Sequence, residues 1–323
     1  MMRGRLPSTT TDAWQAATML ERPLLTPLVL GFWLVTTGWL VVAKILPALS
    51  PGSPPGHQAL YTTGNRPVPV AWTVQFDDRA VGWAIATGER SAAGGMTVAT
   101  RLRIDHLPLD EMLPPWLGLL VRRAAIDAKT VAFDARGRLD IDPAGRLAAF
   151  SSRVALPASS DDVELRGVVD DGAVRVTIAA GGMHYETTRH LPTHVVIGDE
   201  LSPQATLPGL YEGRRWTVPT YSPLRPGHAP LEILHAHVGP EETVFWENGL
   251  VRAHVVTYRD DPTSDREPRC RLWVDRTGRV LRQETMLLGT RVTFVRRSDE
   301  AAAWLAADEP AATAGDGSGE ATP

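Results

Sequence analysis

The feature that most constrains this chain is an uncharged apolar stretch near its amino terminus. From Pro23 to Ala43, twenty-one consecutive residues carry no charge. A helix of that length covers about 30 Å, which matches the hydrocarbon thickness of a lipid bilayer. The sequence therefore predicts a transmembrane signal anchor over residues 23–46, with the bilayer as its partner.

The charges around this stretch predict its orientation. Three arginines lie in residues 1–22, whereas Lys44 is the only lysine or arginine between Ala43 and Arg66. Basic residues near a span stay on the cytoplasmic side. Residues 1–22 are thus predicted to be a cytoplasmic head of a single-pass inner-membrane protein, with the rest of the chain outside. A cleaved secretory signal is the alternative, but the apolar run exceeds the usual core of about 7–15 residues.

The chain after the anchor divides by composition into three parts. Residues 47–69 contain six prolines and three glycines, which predicts a partly extended stalk. Residues 306–323 hold no aromatic or branched apolar residue and are predicted to be a disordered tail. Residues 70–305 remain for an extracytoplasmic β-rich domain.

The pattern of this domain has a period of two. In the segment 96–104, Met96, Val98, Leu102 and Ile104 alternate with polar or small residues, as in a half-buried antiparallel strand. The pair Asp171-Gly172 separates two apolar runs and predicts a tight hairpin. The predicted fold class is mainly β: an antiparallel meander curled into a half-open barrel around short helices. A division into halves 70–190 and 191–297 is a further hypothesis.

A short motif, Asp-x-x-Gly-Arg followed by Leu or Val, occurs three times, starting at Asp134, Asp142 and Asp275. Aspartate opens type I turns, and glycine accepts the left-handed conformation that follows in a bulged hairpin. All three copies are therefore predicted to be turns.

One segment departs from the β pattern and has helical spacing. An apolar stripe runs along it, interrupted by two prolines. Three hypotheses stand: short helices packed as core against the sheet, a movable apolar lid over a cavity, or a helix lying on the membrane surface. The stripe consists of Leu109, Met112, Leu113, Trp116, Leu117 and Leu120.

Candidate chemistry is sparse. His235 and His237 share a strand face, but a zinc site needs a third ligand that the sequence does not assign. Serine-hydrolase and nucleotide-binding motifs are absent. The single cysteine, Cys270, alternates with apolar residues and is predicted to be a buried structural residue. No cofactor, metal or catalytic residue is predicted, and a net charge of −4 argues against nucleic acid as a partner.

Two motifs in the later half carry a resemblance. Gly213-x-x-Trp216-x-Val218-Pro219 is followed by Leu272-Trp-Val-Asp275-x-x-Gly278-x-Val280-Leu-Arg282. This order resembles a pattern in uncharacterised bacterial envelope proteins. The general arrangement also resembles the half-barrels of periplasmic lipoprotein carriers, which implies a fold that encloses an apolar ligand. Those carriers have a lipobox cysteine or a cleaved signal, and this chain has neither.

Three functional hypotheses follow. The first is a non-enzymatic membrane protein whose β domain binds an apolar, lipid-like ligand or an envelope partner. The second is a scaffold subunit of an envelope complex with a solid core. A metal-dependent envelope hydrolase that uses His235 and His237 is the remote third.

Overall fold

The computed structural model describes residues 22–42, 68–108, 130–155, 162–190, 196–197, 203–221, 231–287 and 290–308. Two compact units make up the chain, Met1–Pro51 and Gly52–Pro323.

The first unit contains the helix α1 (Arg22–Leu40), which forms within the apolar stretch. Large apolar side chains such as Leu28, Phe32 and Val35 are exposed on it. Across the residues described, no helix combines the length and the apolarity that a membrane crossing requires. The predicted span at 23–46 therefore gains no support from the structure.

In the part of the second unit that the structure describes, the strands form one fifteen-stranded sheet, and one helix follows it. Its elements are β1 (Val70–Phe76), β2 (Arg79–Arg90), β3 (Met96–Pro108), β4 (Thr130–Ile141), β5 (Leu147–Ala155), β6 (Val163–Asp170), β7 (Ala173–Ala180), β8 (Met183–His190), β9 (Val196–Ile197), β10 (Arg215–Tyr221), β11 (Leu231–Trp246), β12 (Gly249–Arg259), β13 (Cys270–Asp275), β14 (Val280–Leu287), β15 (Thr290–Arg296) and α2 (Asp299–Asp308).

The strands form two arms that meet at the first and last strands. The spatial order runs from β8 back to β1, continues with β15, and then runs back to β9. Neighbouring strands are antiparallel except β9 and β10, which are parallel. The ends of the order, β8 and β9, are not paired with each other. The predictions of a mainly β, antiparallel meander and of an unclosed sheet are confirmed.

Local sequence signals explain much of this meander. Met96, Val98, Leu102 and Ile104 are buried on one face of β3, as their alternation predicts. Asp171 and Gly172 have φ of 44° and 75°, the two left-handed residues of a tight hairpin turn between β6 and β7. The predicted hairpin is therefore confirmed.

The interior is filled by a stretch of backbone, residues 203–210, which we name the plug segment. Its Ala205 packs with a core cluster from β1–β4 and β15, and its Leu207 packs with a cluster from β10–β14. Both side chains are buried. The predicted helices around Leu109–Leu120 lie outside the described residues, so the element seen between the arms is this irregular segment.

The plug segment satisfies its polar backbone groups against the sheet. The Leu207 N–H donates to the Gly278 carbonyl at 2.7 Å, and the Ala205 carbonyl accepts from Val280 N–H at 3.1 Å. The Ala205 carbonyl also accepts from Arg296 Nη1 at 3.1 Å. These bonds pair backbone groups of an irregular segment that would otherwise be buried without a partner.

The helix α2 packs on the opposite face of the sheet, where Ala302 contacts Ala71 and Ile85. Ser298 caps it, because its Oγ accepts from the Ala301 N–H at 3.2 Å.

Two of the three Asp-x-x-Gly-Arg motifs are turns. Asp142 and Asp275 each open a turn between two antiparallel strands, β4–β5 and β13–β14. The turn predicted at Asp134 is wrong. Asp134 lies within β4, where its carboxylate pairs with Arg101 of the neighbouring strand at 2.6 Å. This contact across strands replaces the local turn.

Candidate functional site: an exposed edge strand

The strand β8 ends one arm of the sheet and is exposed along its length. It pairs with β7 over eight residues, from Ala180↔Met183 to Ala173↔His190, without a register shift. Seven of its eight residues are exposed, and Thr187 is half-buried. Its second edge therefore presents backbone groups that no strand of the described sheet occupies.

The sequence explains why β8 forms here. Gly181 and Gly182 take φ of 54° and 78°, which closes a two-residue turn after β7. Tyr185, Thr187 and Thr188 then favour an extended conformation. Neither alternate set of side chains in β8 is apolar throughout, so neither face is suited to a core.

The faces of β8 follow from its register with β7. Tyr185 lies opposite Ile178, Thr187 opposite Val176 and Arg189 opposite Val174. Val174 and Val176 belong to the core cluster on the inner face of this arm, and Ile178 packs against it. Tyr185, Thr187 and Arg189 thus extend the inner face of the sheet beyond its buried part. Tyr185 retains 56 % of its surface exposed.

A tyrosine from the other arm lies near this row. Tyr221, the last residue of β10, is buried in the same cluster as Val174 and Val176. Burial raises the pKa of Tyr221, and the charge of Arg189 opposes that rise. Tyr221 also interacts electrostatically with Tyr185. The end of β10 therefore reaches the neighbourhood of β8, and the row of Tyr185 and Arg189 borders the place where the two arms approach.

The two ends of the sheet differ in how they are protected. Natural edge strands are usually short, or carry lysine, proline or a bulge that blocks further pairing. The end at β9 follows this rule, because β9 has two residues and the adjacent β10 contains Pro219. The strand β8 has eight residues without lysine, proline or a bulge, and its charged residues are Glu186 and Arg189. An exposed edge of this length is a template for strand addition.

The two histidines of the metal hypothesis lie on the outer face of β11. His237 is opposite Arg215 on β10, and His235 is opposite Arg259 on β12. Burial lowers the pKa of His237, and the charges of Arg215 and Arg259 lower it further. Positive charges also oppose a bound cation. Among the described residues, no group of three histidine, cysteine or carboxylate side chains is placed to hold a metal.

The other residues singled out from the sequence are the apolar stripe and the single cysteine. The stripe Leu109, Met112, Leu113, Trp116, Leu117 and Leu120 lies outside the described residues. Cys270 packs against the inner core cluster of β10–β14 and is partly buried. Burial raises the pKa of its thiol to about 12, so the thiolate is scarce at neutral pH. This agrees with the predicted structural cysteine.

A shallow pocket opens beside the hairpin of β14 and β15. Charged side chains line most of it, including Arg269, Arg271 and Arg291. Arg291 pairs with Glu267, and Arg269 pairs with Glu232 at 3.0 Å. The pocket is therefore polar and largely neutralised, which does not suit the apolar ligand predicted from the sequence.

Comparisons with known proteins give little. No protein-family profile and no curated protein match this chain. Among solved structures, it is similar to a β-barrel-like protein of the domain of unknown function DUF1849 from Brucella abortus. The two sequences are 13 % identical, the match covers 71 % of this chain and 95 % of that one, and the TM-score is 0.43.

Sequence reasoning did not identify β8 as an edge strand. The available signal was the mixed composition of Met183–His190, in which apolar side chains are too few to cover a core on either face. Edge strands are the strands that tolerate such a composition. The role of Tyr221 had no comparable signal, because it depends on how the arms curl.

Proposed function

We propose that this protein is a membrane-attached docking module, a binding protein rather than an enzyme. Its β8 edge captures an extended segment of another envelope protein as an added strand. The observation that carries this proposal is the eight-residue exposed edge of β8, which has no bulge, lysine or proline. An envelope protein as the partner belongs to the first hypothesis drawn from the sequence, and a solid core belongs to the second, the scaffold subunit.

The backbone of β8 supports strand addition. In an antiparallel pair, alternate residues direct their N–H and C=O groups away from the existing neighbour. Each hydrogen bond made with a new strand contributes about 0.5–1.5 kcal/mol net. Side chains at alternate positions supply specificity in this binding mode. Tyr185 and Arg189, on the inner face, are the side chains that select the incoming segment.

The interior favours a protein partner over an apolar ligand. Trp72, Leu207 and Phe294 are almost completely buried, and the plug segment lies between the two arms. Cores packed in this way leave few voids larger than a water molecule. A small apolar molecule would have to displace the plug segment together with its hydrogen bonds to Gly278, Val280 and Arg296.

Attachment to the inner membrane is part of the proposal and rests on the sequence. The segment 23–46 is the apolar part, and the exposed apolar side chains of α1 are the surface that lipid would cover. Residues 1–22 remain in the cytoplasm and the β domain faces the periplasm. Alkaline carbonate extraction of membranes tests the attachment: the chain stays in the membrane pellet, and its release into the supernatant would overturn this part.

Site-specific cross-linking tests the docking edge. A photoreactive amino acid is placed at Tyr185 in the full chain, and a matched chain carries it at Tyr211. Tyr211 is also an exposed tyrosine, with 64 % of its surface exposed, but it lies in the segment before β10. We expect one protein adduct from position 185 in intact cells and none from position 211.

The identity of the adduct decides between occupants. A heterologous protein supports the docking proposal, whereas an adduct between two copies would assign β8 to self-association and overturn it. Equal adducts from both positions, or none, would also contradict it. Tyr185→Lys places a strand-blocking charge on the edge and should abolish the adduct formed by a second probe at Thr187, while Tyr211→Lys should leave that adduct intact.

A further inference from the structure

The hairpin of β11 and β12 ends in an exposed apolar pair. We name residues 245–250 the hairpin tip. Phe245 lies opposite Leu250 across it, with Trp246 opposite Gly249 and a two-residue turn between them. Phe245 is 68 % exposed and Leu250 is 76 % exposed. Contiguous exposed apolar surface is the kind of surface that contacts a protein partner or a membrane.

The hairpin tip is fixed to the body of the sheet. Trp246 Nε1 donates to the Arg296 carbonyl at 2.9 Å. The Arg279 guanidinium lies 4.9 Å from the centre of the Trp246 ring, within the range of a cation–π contact. The backbone of the turn is thereby held against the end of β15. Phe245 and Leu250 are therefore presented in a defined place.

The hairpin tip lies beside the first residues of β1. Arg296, which accepts the Trp246 hydrogen bond, pairs with Trp72 of β1. Arg297 N–H donates to the Ala71 carbonyl at 2.8 Å. Since paired strands lie about 5 Å apart, the hairpin tip adjoins the end of the sheet where β1 begins. In the sequence, the chain before Val70 leads through residues 47–69 to the apolar segment 23–46.

We propose that the hairpin tip docks on the surface of the lipid bilayer, with Phe245 and Leu250 inserted among the acyl chains at the headgroup boundary. Aromatic and aliphatic side chains favour this interfacial region. Two exposed cations lie close by. Arg252 and Arg276 both pair with Glu241, and their side chains are 65 % and 68 % exposed. They are suited to lipid phosphates at the rim of the contact. The inference rests on the membrane attachment proposed above and is independent of the β8 edge.

Fluorescence quenching by spin-labelled lipid tests this docking. The full chain is reconstituted into vesicles of phosphatidylethanolamine and phosphatidylglycerol. Leu250→Cys is labelled with a polarity-sensitive fluorophore, and Ile233→Cys is the matched control. Ile233 is also an exposed apolar residue of β11, and it lies about 40 Å along that strand from Phe245 at the usual rise per residue. The chain without either substitution is treated with the same fluorophore, and its emission gives the contribution of the native Cys270.

We expect the label at position 250 to lose most of its emission when lipids spin-labelled near the headgroup are present. The label at position 233 should keep its emission. Adding Phe245→Ser to the Leu250→Cys chain should weaken the quenching, because the apolar pair inserts as a unit.

Each other outcome counts against a specific statement. Vesicles that retain the chain while position 250 stays unquenched would overturn the docking of the hairpin tip and leave membrane attachment intact. Equal quenching at both positions would overturn it too, because the contact would then not be local. A chain that does not remain with the vesicles would overturn the membrane attachment and this inference together. None of these results alters the cross-linking expected at Tyr185.

Discussion

The turns at Asp142 and Asp275 share a motif and a hydrogen-bond pattern but lie in different surroundings. In each, the aspartate Oδ1 accepts from the backbone N–H of the arginine four residues later, at 2.8 Å in the first turn and 2.9 Å in the second. In each, Oδ2 pairs with that arginine at 2.8 Å. The side chains of Asp142 and Arg146 are 22 % and 74 % exposed, against 5 % and 28 % for Asp275 and Arg279.

The difference lies in what packs against each turn. The Gly278 carbonyl accepts a hydrogen bond from the plug segment, and Arg279 lies over Trp246 of the hairpin tip. The described residues provide no comparable burial at Asp142. The motif therefore determines the shape of a turn, whereas its energetic importance depends on contacts made by distant parts of the chain.

The largest expected difference comes from removing the aspartates. Asp275→Ala leaves Thr277 and Arg279 without the acceptor for their side-chain and backbone donors. Breaking a buried ion pair from one side costs about 3–5 kcal/mol. Asp142→Ala removes an exposed pair and should cost about 0.5–1 kcal/mol. Denaturant unfolding of the two full-length variants measures both, and equal losses would contradict the comparison.

The glycines of the two turns should differ by a smaller amount. Gly145 and Gly278 have φ of 78° and 87°, so alanine at either position costs about 1–2 kcal/mol in backbone strain. At Gly278 the added Cβ would also lie 3.2 Å from Pro208 Cα and 3.4 Å from the Leu207 carbonyl oxygen. Gly278→Ala should therefore lower the unfolding midpoint more than Gly145→Ala. A similar shift for both variants would mean that the plug segment moves away from the added Cβ at little cost in free energy.

The two turns should also differ in how they make the free energy of unfolding depend on pH. Burial would raise the pKa of Asp275, but hydrogen bonds from Thr277 and Arg279 outweigh it and hold the pKa below the usual 3.8. A carboxylate with a lowered folded-state pKa contributes stability that is complete above the unfolded value and is lost as the pH falls through the folded value. Stability should therefore fall below about pH 4, and it should fall less steeply in Asp275→Asn.

The matched variant is Asp142→Asn. The pKa of Asp142 is also lowered, chiefly by the backbone hydrogen bond from Arg146. Because Arg146 is exposed to solvent, this substitution should change the acid slope less. Unfolding free energies measured across the acid range for the three chains test the order. If the free energy of unfolding fell more steeply with decreasing pH in Asp275→Asn than in the parent chain, the expected direction of the Asp275 contribution would be wrong.

The smallest expected difference is in salt dependence. Screening weakens exposed ion pairs more than buried ones. Moderate salt should therefore reduce the cost of Asp142→Ala by a few tenths of a kcal/mol, while the cost of Asp275→Ala stays nearly constant. Repeating the denaturant series at two salt concentrations measures this. A larger salt effect at Asp275 would indicate that its pair is solvated.

The third copy of the motif shows where local prediction stops. Asp134-x-x-Gly137-Arg138 has the same residues at the same spacing, yet it lies within β4. Arg101 on β3 binds the Asp134 carboxylate, and the continuous register of β3 with β4 makes the segment extended. Side-chain pairing across strands is invisible to a rule that considers one segment at a time.

The same limit applies to the candidate site and the core. Alternation predicted strands such as β3, and Asp171-Gly172 predicted the hairpin of β6 and β7, because both signals are local. The edge position of β8 depends on the order of the whole sheet. The plug segment had no comparable signal, because irregular segments usually lie on the surface. The plug segment is buried because Gly278 and Arg296, far away in sequence, pair with its backbone.

The adjacency of β1 and β15 has a consequence for biogenesis. Arg297 contacts Thr73 across 224 positions of the chain. Contacts between distant positions slow folding, because a long loop must close before they form. A polypeptide synthesised from its amino end thus has the edge of β1 that faces β15 unpaired at first. That edge stays open until almost the entire sheet has been made. The last step in folding of this sheet is therefore expected to be the pairing of β15 with β1.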